Sequence, residues 1–249
     1  YAIRDYYDVC PDLAVNVQFP TVPHVKIEDV KVGVQGTLSD VVLPKVLKNE
    51  ELRGGPLTLS VKDNQLHVSG KAQLAGRESN LDYREYLVSK DAPYSSKVTA
   101  TLSVDDDLRR RLGIDLSSFL SGPVWADVNY VTYTGGGSEA KVKADLSGAR
   151  LFIDPFDYEK KPGAKASAQL TAVLRDGILK EIQWLTGSAP GLTLENSALA
   201  FRGSGANTEL AGGNISRFSL GETVAGVEFE IMGNDLVKLV LKGAFLDLR

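Results

Sequence analysis

Few residues in this 249-residue chain carry the chemistry that catalysis or metal binding needs. There are two histidines, His24 and His67, and one cysteine, Cys10. A lone cysteine excludes an intrachain disulfide and a cysteine-based zinc site. Two histidines far apart leave little for a histidine metal site or a Ser-His-Asp constellation. His24 follows Phe19-Pro20-Thr21-Val22-Pro23, a loop, and His67 alternates with Leu66 and Val68, which turns it to the polar side of a strand. No G-x-S-x-G elbow is present. Asp105-Asp106-Asp107 lacks the alternating ligands, glycine and closing glutamate of a calcium loop and reads as the cap of a short helix. Arg109-Arg110-Arg111 fan around that helix and read as a solvated face. Asp127, Asp154 and Asp157 are the carboxylates to test as a glycosidase pair. Gly203-Ser204-Gly205 has neither a third glycine nor a helix to cradle a phosphate, and Asn214-Ile215-Ser216 fits a glycosylation sequon. The expectation is a non-catalytic chain with no cofactor and no metal.

The elements that must position any site are strands. Val98, Ala100, Leu102 and Val104 alternate with Lys97, Thr99, Thr101 and Ser103. Ala140, Val142, Ala144 and Leu146 alternate with Lys141, Lys143 and Asp145, and Ala166 to Leu174 alternate in the same way. Period two gives each strand an apolar and a polar face, the mark of an antiparallel sheet wetted on one side. Lys62-Asp63-Asn64-Gln65, Gly135-Gly136-Gly137 and Asp176-Gly177 predict hairpin turns, the last of type I′, and Asn214 after Gly212-Gly213 and Asn234-Asp235 mark further turns. The last strands run over Gly226–Met232 and Leu236–Ala244. One short helix follows Asp105 and is stopped by Gly113; a further turn is expected over Asp115–Leu120 and a second short helix over Pro44–Leu52. Asp154–Lys165, with Pro155 and Pro162, reads as a loop.

Lys and Arg number 28 against 32 Asp and Glu, a net charge of −4 that offers nucleic acid no basic footprint. No apolar run approaches the roughly 18 residues of a membrane span. The chain opens on Tyr1 with no signal-peptide pattern and is expected to be a middle length of a longer protein.

The order of several short motifs resembles the AsmA-like superfamily of bacterial envelope proteins, on its YhdP-type, TamB-related side. Carrying the likeness are Lys26-Ile27-Glu28-Asp29-Val30-Lys31, Leu38-Ser39-Asp40-Val41-Val42-Leu43-Pro44, Leu57-Thr58-Leu59 and Leu66 to Gly76. The most specific block runs from Asp106 to Leu116 and on through Leu120-Ser121-Gly122-Pro123-Val124; Ala144 to Ala149 and Gly243 to Leu248 complete the order. The likeness spans the chain from about Val15 to its end. It implies a Gram-negative periplasmic protein, anchored in the inner membrane in its full-length form. It further implies a long, strongly curved antiparallel sheet whose apolar groove conducts phospholipid towards the outer membrane. The family's N-terminal membrane helix is not in this sequence, so membrane contact would come only through parts absent here. No catalytic residue is carried over.

On this reading residues 1–19 are leading strands of a preceding unit, and residues 20–249 form one continuous β-groove domain. Its partners are phospholipid acyl chains and, at both sheet edges, adjoining segments of the same longer chain. The groove lining is expected from Val98, Ala100 and Leu102; Val124, Ala126, Val128 and Tyr130; Val142, Ala144 and Leu146; and Ala168, Leu170 and Ala172. Alternation alone suits a closed sandwich core better than a groove, and the resemblance reverses that preference. The alternative is a structural or assembly domain of the envelope with a closed core and protein partners.

Overall fold

The computed structural model describes residues 8–21, 24, 30–88, 91–114, 116–153, 157–203, 208–233 and 236–245. It is mainly β, with 72% of residues in strands, antiparallel pairing, and a single short helix among the described residues. Two compact units are formed, Tyr1–Leu102 with Val131–Thr134, and Ser103–Tyr130 with Gly135–Arg249.

The first unit carries β1 (Asp8–Gln18), β2 (Lys31–Leu47), β3 (Glu50–Gly54), β4 (Leu57–Lys62), β5 (Gln65–Leu74), β6 (Arg77–Tyr86) and most of β7 (Ser96–Val104). Their order is β1-β2-β3-β5-β6-β7, and β4 pairs with both β2 and β5. The described part of the leading segment 1–19 is hydrogen-bonded to β2, from Asp8 opposite Val42 to Gln18 opposite Lys31. The β4–β5 turn is the one expected: Asp63 and Asn64 have φ of 48° and 64°, the left-handed pair of a type I′ turn. The unit's most deeply buried apolar residues are Val41, Leu52 and Leu57, each 1–2% exposed, joined in the core by Ala72, Leu74, Ala100 and Leu102.

The helix expected over Pro44–Leu52 is not formed. β2 continues to Leu47, Lys48-Asn49 turn the chain, and β3 returns with Leu52 opposite Leu43. Lys45 and Lys48 adopt φ of 57° and 55°, left-handed values that a right-handed helix cannot contain. A register shift between Leu43 and Leu47 accommodates Lys45. Apolar residues spaced for a helix face are here opposed across a bulged hairpin.

The second unit holds α1 (Asp106–Arg111), β8 (Leu120–Ser121), β9 (Val124–Thr132, up to Tyr130), β10 (Gly137–Asp145), β11 (Arg150–Ile153), β12 (Tyr158–Lys160) and β13 (Ser167–Arg175). β14 (Ile178–Ala189), β15 (Leu192–Arg202), β16 (Glu209–Leu220), β17 (Thr223–Gly233) and β18 (Leu236–Phe245) follow. The strands run β9-β10-β13-β14-β15-β16-β17-β18, and β12-β11-β8 form a small separate sheet. Asp176 and Gly177, with φ of 52° and 72°, make the expected type I′ turn. The turn expected at Gly212-Gly213-Asn214 is not formed: these residues lie inside β16, with Asn214 paired to Ala198 and Glu228, because neighbouring strands on both sides leave the glycines no room to turn. β12 lies within the segment expected to be a loop; three residues between two prolines are too few to show periodicity. Asp154, Asp115, Asn234-Asp235 and residues 1–7 lie outside the described residues.

Helix α1 has the ends its sequence requires. Asp105 caps it, accepting from Leu108 N at 3.0 Å. Gly113 closes it at φ 74°, with Gly113 N donating to Arg110 O and Ile114 N to Arg109 O, a Schellman ending. The reading of all three arginines as solvated is corrected for Arg109, which is 5% exposed. Its guanidinium donates to Val104 O and Gly122 O, each at 3.0 Å, and pairs with Asp106. Asp106 in turn accepts from Gly122 N. The helix is thereby pinned to the entry of β8–β9.

Lys160 does comparable work in the small sheet. It is 2% exposed, and its Nζ donates to Leu146 O, Ser147 O and Ala149 O at 2.6, 3.1 and 2.7 Å. Those carbonyls sit in the turn after β10, outside any ladder, above the cluster of Leu120, Val124 and Ala149. Burial pushes the Lys160 ammonium below its ordinary value, and the charge of Asp145 opposes this. Replacing the ammonium removes three charge-assisted hydrogen bonds and strands the buried Ala149 carbonyl, while Leu146 O and Ser147 O keep the amides of Ala149 and Gly163. Lys160→Met should lose on the order of 3 kcal/mol of stability in urea unfolding; a loss below about 0.5 kcal/mol would show that water replaces the amine.

Candidate functional site

The register of the second unit aligns apolar residues into rows, because directly opposed residues share a face. One row runs Ala140, Ala172, Ile182, Leu199, Gly213, Phe229 and Leu239, each opposite the next on the neighbouring strand. A second runs Ala144, Ala168, Gly187, Leu194, Phe218, Ala225 and Gly243. Val142 opposite Leu170 lies between them on β10 and β13. The other face is polar: Asp145, Ser167, Ser188, Thr193 and Ser219 oppose one another from β10 to β16.

Away from Ala144, which packs against the buried Leu120–Val124–Ala149 cluster, this apolar face is not sealed. Of its two rows only Ala225 and no larger side chain is buried; Ile182, Leu194, Leu199, Phe218 and Phe229 are half-buried, and Leu239 is 54% exposed. A closed sandwich would bury the large members of such rows. The first unit does so at Val41, Leu52 and Leu57.

The expected lining residues divide among four settings. Val142, Ala144, Ala168, Leu170 and Ala172 are brought together, half-buried, on the apolar face. Leu146 lies beyond the end of β10 and, with Ala144, packs against the Leu120–Val124–Ala149 cluster. Val124 and Ala126 on β9 are buried, while Val128 and Tyr130 are half-buried. In the first unit, Ala100 and Leu102 are buried, and Val98 is half-buried opposite Tyr83. Sequence reasoning missed the continuation through Ile182, Leu199, Phe218 and Phe229. The signal was present in Leu192/Leu194, Phe218/Leu220 and Val227/Phe229/Ile231, but the intervening strands are bulged and lose strict period two.

Gly213 shows how closely the row is packed. A Cβ there would stand 2.7 Å from Leu199 Cδ2, 2.9 Å from Phe229 Cε1 and 2.8 Å from the backbone oxygen of Ala198. Leucine can rotate away but the carbonyl cannot. Gly213→Ala should therefore cost about 1–3 kcal/mol in stability; unchanged urea unfolding would mean that the backbone yields there.

The remaining chemistry is sparse. His67 faces the polar side, as its alternation predicts, and its Nε2 is 2.8 Å from Asp82 Oδ2. Arg84 Nε donates to Asp82 Oδ1 at 3.0 Å. Ser60 stands opposite His67 in the ladder, so serine, histidine and aspartate are neighbours. They lie within paired strands whose amides are committed to the ladder, leaving no oxyanion hole. Asp127 and Asp157 are exposed, and neither lines the two cavities formed by β13–β16. Among the described residues no group of three or more His, Cys, Asp or Glu side chains is placed to hold a metal. No described helix is long and apolar enough to cross a membrane.

Partial burial is the largest influence on the Asp82 carboxyl and pushes it up; hydrogen bonds and charge from Arg84 and His67 outweigh it and leave the group below its ordinary value. A carboxyl lowered in the folded state stabilises above its unfolded pKa, and the contribution disappears as pH falls through the folded one. The side chain is 39% exposed, so the effect is under about 1 kcal/mol. Asp82→Asn should lose this increment at pH 7, and the gap to the parent should close on acidification; a gap independent of pH would refute the ionic origin.

Compared with known proteins, the chain matches no family model, no curated sequence and no solved structure.

Proposed function

We propose that this chain is a length of a conduit that carries phospholipid between the inner and outer membranes, its apolar face shielding acyl chains without catalysis. One observation carries the reading: an apolar face continuous across seven strands, from β10 to β18, whose large side chains remain half exposed. Desorbing a lipid exposes its chains to water at ~0.8 kcal/mol per CH₂, on the order of 13 kcal/mol for one chain of about sixteen carbons. A strip of uncommitted apolar surface lowers that barrier, and the polar face opposite it stays in water. The motif order that resembles the AsmA-like superfamily supports the same reading. It supplies the setting: the periplasm, an inner-membrane anchor in the full-length protein, and adjoining segments of the same chain along the outermost strands β1 and β18. The family's strong curvature would turn the face into a groove.

A structural or assembly role in the envelope, with protein partners, is the second reading. The closed core of the first unit around Val41, Leu52 and Leu57 favours it there.

Photo-crosslinking separates the two. A benzophenone residue at Ala144, Ile182 or Phe229 should capture phospholipid from cells, while the same probe at Lys143, Gln169 or Ser188 should not. Lipid extraction and mass spectrometry of protein purified without detergent should identify the same species. Equal labelling of both faces, or protein adducts in place of lipid on the apolar one, would overturn the conduit.

A further inference from the structure

The second unit has a feature that lipid passage leaves unused. Trp184 lies in the middle of β14 yet is 68% exposed and has φ of 54°. A bulky residue in the left-handed region is a true outlier, and such strain collects at functional sites. Asn196 on β15 shares it, at φ 45°. Both positions are bulges. Between the pairs Ile182–Leu199 and Leu185–Ser197, β14 sets Gln183 and Trp184 against Ala198 alone. Between Leu185–Ser197 and Gly187–Leu194, β15 sets Glu195 and Asn196 against Thr186. The distortion is held in place, since Ser216 Oγ donates to Asn196 O at 2.7 Å.

Beside the indole is a shallow cavity of about 520 Å³; its polar lining is Glu181, Gln183, Asn196, Ser197 and Asn214, and Ile182, Leu199 and Gly213 of the apolar row also border it. Ala198 and Ala200 line it without filling it. Glu181 is opposite Ala200, Gln183 opposite Thr171 and Ala198 opposite Asn214, all one residue off the apolar row through Ile182 and Leu199. Gln183 Nε2 donates to Glu181 Oε2 at 2.5 Å, which orients the amide and leaves its carbonyl and the other carboxylate oxygen for a guest.

The chemistry of this lining selects its ligand. No lysine or arginine lines the cavity and a carboxylate does, so a phosphate or other anion is repelled. Three amides and a carboxylate would be wasted on an acyl chain and would lose their water to it. A flat aromatic surface ringed by amide and carboxylate groups matches a molecule with an apolar C–H face and hydroxyls at its rim. We propose that Trp184 and the groups around it form a binding site for a neutral saccharide chain. The site stands whether or not the apolar rows carry lipid.

The test uses the full chain with Trp125→Phe, which leaves Trp184 as the only tryptophan. Titration with a tetramer of β-1,4-linked N-acetylglucosamine, and separately with a glucose tetramer, should change the Trp184 fluorescence saturably with at least one. Calorimetry with the parent chain should give the same affinity. Trp184→Gly should weaken binding at least about tenfold by calorimetry, with a melting temperature equal to or above the parent's, since glycine accepts the backbone that tryptophan strains. Trp184→Phe should retain part of the affinity, and Asn214→Ala should lose part of it. No saturable response to either sugar would overturn the proposal, as would Trp184→Gly binding as well as the parent. So would a Trp184 response to phosphatidylethanolamine–phosphatidylglycerol vesicles but to neither sugar.

Discussion

Everything specific about the second unit depends on register. A strand alternates faces residue by residue, so a slip by one position would send its apolar set to the polar side. β14, β15 and β16 are bulged, and each bulge could have caused that slip. It does not, because a bulge sets two residues against one and pairing resumes with the faces preserved. Ile182 faces Leu199 before the distortions and Gly187 faces Leu194 after them, and both pairs belong to the apolar rows. The bulges thus change the twist and re-aim a few side chains, Trp184 among them, without breaking the apolar face.

Two buried cations hold the chain where strands cannot. The turn after β10 and the segment before β9 leave carbonyls outside any ladder, and such groups must find donors when buried. Lys160 supplies a compact ammonium to three converging oxygens. Arg109 supplies a planar fork to two carbonyls and the Asp106 carboxylate. The two are not equivalent: Arg109 keeps a counter-ion in contact, whereas Lys160 has neutral dipoles, with Asp145 acting through charge alone. Hence burial depresses the lysine, and its stability depends on the carbonyl cage.

Regular strands were legible in the sequence because their faces differ in polarity. β10 and β13 are read from Ala140–Leu146 and Ala166–Leu174, and the helix from its aspartates, arginines and Gly113. Legibility failed where the signal is not periodic. Pro44–Leu52 has apolar spacing suited to a helix, but left-handed Lys45 and Lys48 belong to a bulged hairpin, and lysine gives no hint of such a backbone. Arg109 was hidden among three arginines, since only the path of the following chain decides which one is covered. Lys160 was hidden for the same reason. The apolar face was visible at its alanine-rich end and lost at β14–β16, where bulges interrupt the alternation that would have revealed it.

The composition of that face bears on what it can be. Sheets that close on one another lie ≈10 Å apart and fill the gap with interdigitated side chains. Ala140 faces Ala172 and Ala144 faces Ala168, with Gly187 next in the row. Alanine and glycine cannot fill such a gap, so a partner sheet would leave voids, and voids cost contacts that the interior needs. Leucine and phenylalanine appear further along, at Leu194, Leu199, Phe218 and Phe229, and they remain half-buried. Under the proposed function, an apolar surface low in relief at one end and half-buried at the other would let a hydrocarbon chain conform to small side chains and leave them again. The first unit, with larger side chains sealed at Val41, Leu52 and Leu57, shows that this sequence can build a closed core where packing is the purpose.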